Sequence, residues 1–395
     1  MARDLTPLES LPPAVDKAIG PKAPPPLRMM AARGLAPLKP GEQLTALYQL
    51  SLSDDDALKT AAVRTANELP EKIISGALAE PLDARVLDFF ARRLFQKPKS
   101  LEVVLLNKAT SDETFRHLAT LCAESELEMI AKNEERLLRH PPIIAALYMN
   151  PRTRMSTAQR AVELAVRNNV RVDGIPAFEE ITKVIAESGA PTAEELAAED
   201  AKFKRAAEVA VDAGSQLLIT ALDPKEAEAM EAEAVARAVA LASEELPPDA
   251  NPEEVEEKKK RLEELSPAGQ IRAATLGNSF ARAFLIRSKN KQVAMACIRS
   301  PGVSDSEAQH YANNRALGDE IIRFIARKKQ WVRLYSIKVA LCNNPKCPMP
   351  VAMNFLPHLR SPELKALSRS KGIPSALANA AKQMVRQRGE GGGGG

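Results

Sequence analysis

Residues 90–165 and 280–359 carry the same turn residues in the same order, and this internal repeat limits the possible folds more than any other feature of the chain. Phe90-Ala91-Arg92 matches Phe280-Ala281-Arg282, and Ser111-Asp112 matches Ser304-Asp305. His117 and Ala119 match His310 and Ala312, and Ile130-Ala131 matches Ile325-Ala326. Ala146-Leu147 then matches Ala340-Leu341, Asn150-Pro151 matches Asn344-Pro345, and Met155 and Ala158 match Met349 and Ala352. Overall identity is modest. Shared Ala or Leu arises easily by chance, whereas shared Asn-Pro and Ser-Asp pairs in register do not.

The repeated residues have a physical meaning. Asn-Pro ends a helix, because the residue before proline avoids the α region and Asn accepts turn geometry. Ser304-x-x-Glu307 predicts a capping box at the start of the next helix, and Ser111 is placed to cap in the same way. Such helix ends recur near Pro81, Asn107, Asn150, Pro301 and Asn344, and the Asn107–Asn150 and Pro301–Asn344 intervals of 43 residues suit helix–turn–helix units of about 35–45 residues. One amphipathic hairpin cannot bury its apolar face alone, but a stack of hairpins can. An all-α chain is therefore expected, an α-solenoid of helical hairpins in two related arrays. An irregular helical domain holding two ancestral copies is the alternative.

Composition agrees with the helical expectation: Ala, Leu, Lys, Arg and Glu dominate, and aromatic residues make up only 4%. Helices are predicted over 57–69, 72–78, 83–95, 101–106 and 112–122. Leu44, Leu47, Tyr48 and Leu52 form an apolar stripe just before them. Residues 1–40 are proline-dense, which suggests an extended, disordered arm with room for short helical pieces such as 27–34. The N-terminal array is then expected over 41–220 and the C-terminal array over 266–387. Residues 388–395 form a glycine-rich tail expected to be disordered. Between the arrays, 221–265 is an acidic helical insert or linker with 14 acidic and 6 basic residues. In it Asn251-Pro252-Glu253-Glu254 restarts a helix, and Val255, Leu262 and Leu265 give that helix one narrow apolar edge.

The charge distribution suggests what this chain recognises. Residues 266–395 hold 21 basic against 6 acidic residues. That imbalance points to an anionic partner or to an internal contact with the insert. Arg287, Lys289 and Lys291 cluster at one turn, and Arg327, Lys328, Lys329 and Arg333 surround the single Trp331. These eight residues are the candidate anion- or partner-binding set. No phosphate-cradling glycine loop, H-E-x-x-H or G-x-S-x-G motif occurs. Cys342-Asn-Asn-Pro-Lys-Cys347 with His358 offers one loose pair and a stray histidine, short of the four ligands structural zinc requires. His117 and His310 occupy matching repeat positions, which suits packing better than general-base work. No catalytic residue, metal or cofactor is expected.

No apolar run is long enough for a membrane span, and no secretory signal opens the chain, so a cytoplasmic protein with four reduced cysteines is expected. Three stretches carry a likeness to a known group: Leu265-Ser-Pro-Ala-Gly-Gln-Ile-Arg272, the Asn-Asn-Pro turn at 340–348, and Leu367-Ser-Arg-Ser-Lys-Gly-Ile-Pro374 within 364–381. With Asn133-Glu-Glu-Arg-Leu-Leu138 and Asn150-Pro-Arg-Thr153, they resemble bacterial HEAT-like or leucine-rich-repeat-variant α-solenoid proteins of unknown function. Cys347 stands where that pattern has Thr. The resemblance implies a fold and brings no catalytic residues with it. The expected role is a non-enzymatic scaffold or adaptor that binds other proteins. A nucleic-acid-binding repeat protein using the basic C-terminal array is the second expectation.

Overall fold

The computed structural model describes residues 6–94, 97–188, 192–210, 224–243 and 247–390. Among these residues there are 25 α-helices, two short 3₁₀ turns and no strand. The chain divides into two compact units, Met1–Gly174 and Ile175–Gly395.

The first unit holds α1 (Pro13–Ile19), α2 (Pro25–Ala32), α3 (Pro40–Leu50), α4 (Asp56–Glu68), α5 (Glu71–Leu78) and α6 (Ala84–Leu94). It continues with α7 (Pro98–Leu106), α8 (Asp112–Leu121), α9 (Glu124–Ala131), α10 (Glu134–Arg139), α11 (Pro142–Met149) and α12 (Met155–Arg167). Its closely packed pairs lie within three places of each other in helix order, for example α5 on α7, α6 on α8 and α8 on α11. Leu44, Leu47 and Tyr48 of the predicted stripe are buried, and Tyr48 meets Phe89 edge to face at 5.5 Å between ring centres.

The proline-dense start is not an extended arm. Pro13 and Pro25 each occupy the first turn of a helix, where proline's missing N–H costs nothing and its fixed φ suits the helix. Val15, Ala18, Ile19, Ala31 and Ala32 are buried, with α1 and α2 packed on α3 and on each other. The segment before α1 is tied down as well. Tyr48 Oη donates to the Thr6 carbonyl at 2.7 Å, Leu8 N–H donates to Gln49 Oε1 at 3.0 Å, and Arg85 Nη1 donates to the Pro7 carbonyl at 2.9 Å.

The second unit begins earlier than the repeat boundaries suggest. It opens with α13 (Phe178–Ser188) and α14 (Ala193–Ala210), which the sequence assigned to the N-terminal array. There follow α15 (Pro224–Ala242), α16 (Pro252–Glu263), α17 (Pro267–Leu276), α18 (Ser279–Leu285), α19 (Lys291–Arg299), α20 (Asp305–Asn313) and α21 (Asp319–Arg327). After a 3₁₀ turn at Trp331–Arg333 come α22 (Tyr335–Asn343), α23 (Met349–Phe355), α24 (Ser361–Arg369) and α25 (Ser375–Glu390). Helix α13 packs on α17 and α19, and α14 on α16 and α17. Glu199 of α14 accepts from both Ser266 N–H (2.9 Å) and Ser266 Oγ (2.6 Å) at the start of α17.

The acidic insert is part of this packing rather than a detached linker. Helix α15 lies on α18 and α20, α16 lies on α14, and Val255, Leu262 and Leu265 are all buried. Of the expected tail, residues 388–390 belong to α25, and Arg388 donates to the Leu359 and Pro357 carbonyls, both at 2.6 Å. Residues 391–395 lie outside the described residues, as do 1–5, 211–223 and 244–246.

One device recurs at the helix ends that the sequence marks. The last carbonyls of a helix have no partner within it. Asn107, following α7, donates from Nδ2 to the Leu78 (2.7 Å) and Glu80 (2.8 Å) carbonyls at the end of α5, while its Oδ1 accepts from Ala109 N–H. Asn150, following α11, reaches the Ala119 (2.9 Å) and Cys122 (3.4 Å) carbonyls at the end of α8 and accepts from Arg152 N–H. Asn344, following α22, reaches the Ala312 (2.8 Å) and Asn314 (3.2 Å) carbonyls at the end of α20 and accepts from Lys346 N–H. Ser300 plays the same part after α19, donating to the Thr275 carbonyl of α17 at 3.0 Å. Each such side chain closes its own turn and fastens the end of one helix to the same end of a neighbour.

Candidate partner-binding groove

Three of the eight sequence-chosen residues meet in one place. After α18 the chain turns through Ile286-Arg287-Ser288-Lys289-Asn290 into α19. Ser288 Oγ accepts from Asn290 N–H at 3.2 Å, and Asn290 Oδ1 accepts from Gln292 N–H at 2.9 Å, which fixes this turn as a helix start. Arg287, Lys289 and Lys291 are all exposed on it. They rim a groove of about 670 Å³. Ala294, Met295, Leu317 and Ile321 supply apolar surface, Asn314 and Gly318 come from the turn between α20 and α21, and Glu320 from the first turn of α21. Ser243, just beyond α15, closes one side.

The charges in the groove are only partly matched. Arg287 Nη1 donates to the Ala242 carbonyl at 2.9 Å, so the guanidinium sits at the negative end of α15. Lys291 Nζ stands 3.4 Å from Glu320 Oε1, both side chains being well exposed. Its own backbone N–H and the Lys291 ammonium together hold the Glu320 carboxyl below the ordinary glutamate range. Lys289 makes no ion pair among the described residues. Three of the insert's described carboxylates pair elsewhere: Asp249 with Arg237 at 2.7 Å, Glu256 with Lys259 at 3.2 Å, and Glu257 with Arg261. The insert therefore lends the groove a helix end, and no described carboxylate of the insert pairs with the basic turn.

The other five candidates lie at the opposite end of α21. Glu320 and Ile321 at its start face the groove, whereas Arg327 closes it, about 10 Å of helix away. Arg327, Lys329 and Arg333 are exposed and make no ion pair among the described residues. Trp331 does not offer a stacking face to solvent, being only 1% exposed and edge-on to Phe324 at 6.2 Å. The Lys328 ammonium covers its ring at 3.6 Å, and burial there lowers the Lys328 pKa. Sequence reasoning missed Glu320, Met295, Asn314 and Gly318. The Gly-Asp-Glu start of α21 was the only local signal, and it marks a helix beginning rather than a groove wall.

Other buried ionisable groups lie outside the groove lining. Arg282 and Glu307 form an ion pair at 2.7 Å, 6% and 1% exposed, with Tyr311 Oη donating to Glu307 at 3.1 Å. Arg92 pairs with Asp88 at 2.8 Å, and Thr114 Oγ1 donates to the same carboxylate at 2.8 Å. His117 stands 3.3 Å from Arg92 and is half-buried; burial lowers its pKa, and the arginine adds to this. Cys342 and Cys347 are buried, and burial pushes each thiol up to about 12, whereas His358 is exposed. Among the described residues no group of three or more His, Cys, Asp or Glu side chains could hold a metal ion, and no helix is long and apolar enough to cross a membrane. Comparison of the chain with family models, with curated proteins and with solved structures finds no match to any of them.

Proposed function

We propose that the chain is a non-enzymatic scaffold of the HEAT-like type, an α-solenoid whose stacked hairpins present surfaces to other proteins. The groove between the α18–α19 and α20–α21 turns is the observation that carries this reading, because it joins apolar surface to three exposed cations. The Asn107, Asn150, Ser300 and Asn344 fastenings support the stacked arrangement, since each ties a helix to a neighbour a few helices earlier. Two related arrays follow if the residues shared by 90–165 and 280–359 descend from one duplicated module.

The test is affinity capture with the full chain, followed by reconstitution from pure components. A stoichiometric protein complex on gel filtration is expected. Recovery of no protein partner overturns the proposal, and turnover of a small molecule by the purified chain overturns its non-enzymatic part. Arg327, Lys329 and Arg333, exposed and without an ion pair among the described residues, favour a second reading, in which the basic end of the chain grips nucleic acid. That reading requires binding that weakens steeply with salt, and it fails if no binding is seen at about 50 mM salt.

A further inference from the structure

We infer that the groove bounded by Arg287, Lys289, Lys291 and Glu320 receives an acidic, partly apolar peptide segment of a partner protein. This rests on the scaffold reading and names what the scaffold recognises. The three cations stand at alternate positions along one turn, so their charges reach one wall of the groove together. Among the described residues each keeps donors free: Arg287 uses one of its five N–H groups on a neutral carbonyl, Lys291 touches only an exposed carboxylate, and Lys289 makes no ion pair. The cavity's volume of about 670 Å³ falls within the roughly 300–1,000 Å³ of ordinary ligand clefts, room for a few side chains. Half-buried Met295 beside Ala294 and Leu317 gives an adaptable apolar floor.

The mixed charge of the walls selects a peptide over a nucleic acid. A phosphate chain would meet the Glu320 carboxylate across from the cations and would find no aromatic side chain in the lining to stack on. A peptide satisfies both walls at once: its carboxylates face Arg287 and Lys289, and its backbone N–H groups or a basic side chain face Glu320. The apolar floor takes a neighbouring Leu, Ile or Met of the same segment.

The experiment selects short random peptides on the immobilised full chain, then measures the enriched peptides in solution by fluorescence anisotropy. Their Lys-substituted analogues and oligothymidine serve as competitors. Enrichment of sequences with several acidic residues beside an apolar one is expected. Binding should fall about tenfold or more in the triple variant Arg287→Glu, Lys289→Glu, Lys291→Glu and should weaken with added salt. Lys289→Glu alone, at an exposed residue with no ion pair, gives a smaller loss without endangering the fold. Enrichment of neutral or basic sequences, unchanged affinity in the triple variant, or displacement by oligothymidine in preference to the acidic peptide overturns the inference. A protein partner captured equally by the parent chain and by the triple variant also removes the groove assignment while the scaffold reading stands. Capture of no protein by either removes the scaffold reading itself.

Discussion

Asn343 and Asn344 are adjacent and chemically identical, yet the structure predicts very different costs for removing them. Asn344 is 2% exposed and makes three hydrogen bonds: two from Nδ2 to the Ala312 and Asn314 carbonyls, and one into Oδ1 from Lys346 N–H. The Asn343 side chain makes one, from Nδ2 to the Val339 carbonyl of its own helix, and the residue is half-buried. At about 0.5–1.5 kcal/mol net per bond, Asn344→Ala should cost about 2–4 kcal/mol and Asn343→Ala about 1 kcal/mol or less. Asn344→Asp keeps the acceptor for Lys346 N–H but turns a carboxylate toward two carbonyl oxygens, so it should cost at least as much as the alanine variant. Urea unfolding followed by tryptophan fluorescence measures this directly, because Trp331 is the chain's one tryptophan and is buried in the same unit. If the two alanine variants lie within about 0.5 kcal/mol of each other, the Asn344 side chain does not fasten α22 to α20 and the helix-end argument fails.

Three further outcomes are expected. Asp88→Asn strips Arg92 of its carboxylate and should cost about 2–3 kcal/mol, and adding Thr114→Glu, which places the acid where Glu307 stands in the second stretch, should restore at least half of this; circular-dichroism melts that show no recovery in the double variant refute the equivalence of positions 114 and 307. Burial pushes the Cys122, Cys342 and Cys347 thiols up to about 12, and buried Cys297 is raised too, so the native chain should not react with Ellman's reagent at pH 8 yet release four equivalents once unfolded. The Asp112 carboxyl is held low, chiefly by hydrogen bonds from Arg139 and further by Arg136, so its contribution is complete above its unfolded value of about 4 and is lost as pH falls through the lower folded value. The stability gap between the parent chain and Asp112→Asn should accordingly close as acid is added, and a gap that widens in acid contradicts the assignment.

Features set by local chemistry were legible in the sequence. The Ser304–Glu307 capping box, the Ser111 cap and the turns at Asn150 and Asn344 stand where the sequence puts them, and the helix expected over 112–122 runs Asp112–Leu121. The proline-dense start was misjudged because proline breaks a helix interior but opens a first turn, and composition alone does not say which position Pro13 or Pro25 holds. The apolar edge of Val255, Leu262 and Leu265 was visible, but nothing local named α14 as the surface under α16. The same limit applies to the groove. Arg287, Lys289 and Lys291 share one turn and could be read together, whereas Glu320 and Met295 reach the site only through packing. Four cations around one tryptophan could be grouped as one candidate set, but nothing local said that Lys328 and Phe324 cover that ring themselves.

The two aligned stretches also show why their turn residues persist while overall identity is low. Both carry an arginine at the matched position, Arg92 or Arg282, paired to a carboxylate that involves the helix two places on. In the first stretch the acid is Asp88, on the arginine's own helix, and Thr114 of α8 donates to it. In the second, position 88 corresponds to Asn278, which caps α18, while position 114 corresponds to Glu307, which supplies the carboxylate from α20. A bond between two side chains constrains only the pair, so acid and donor can exchange helices while the link survives. A bond from a side chain to a neighbour's backbone carbonyl leaves no such freedom, because the carbonyl cannot change type. Asn107, Asn150 and Asn344 each meet two fixed oxygens and one fixed N–H, a demand that an amide side chain meets in full and the Ser300 hydroxyl meets in part. The helix ends are therefore held to residue type by the backbone, while the surfaces between them, including the groove, carry no such constraint.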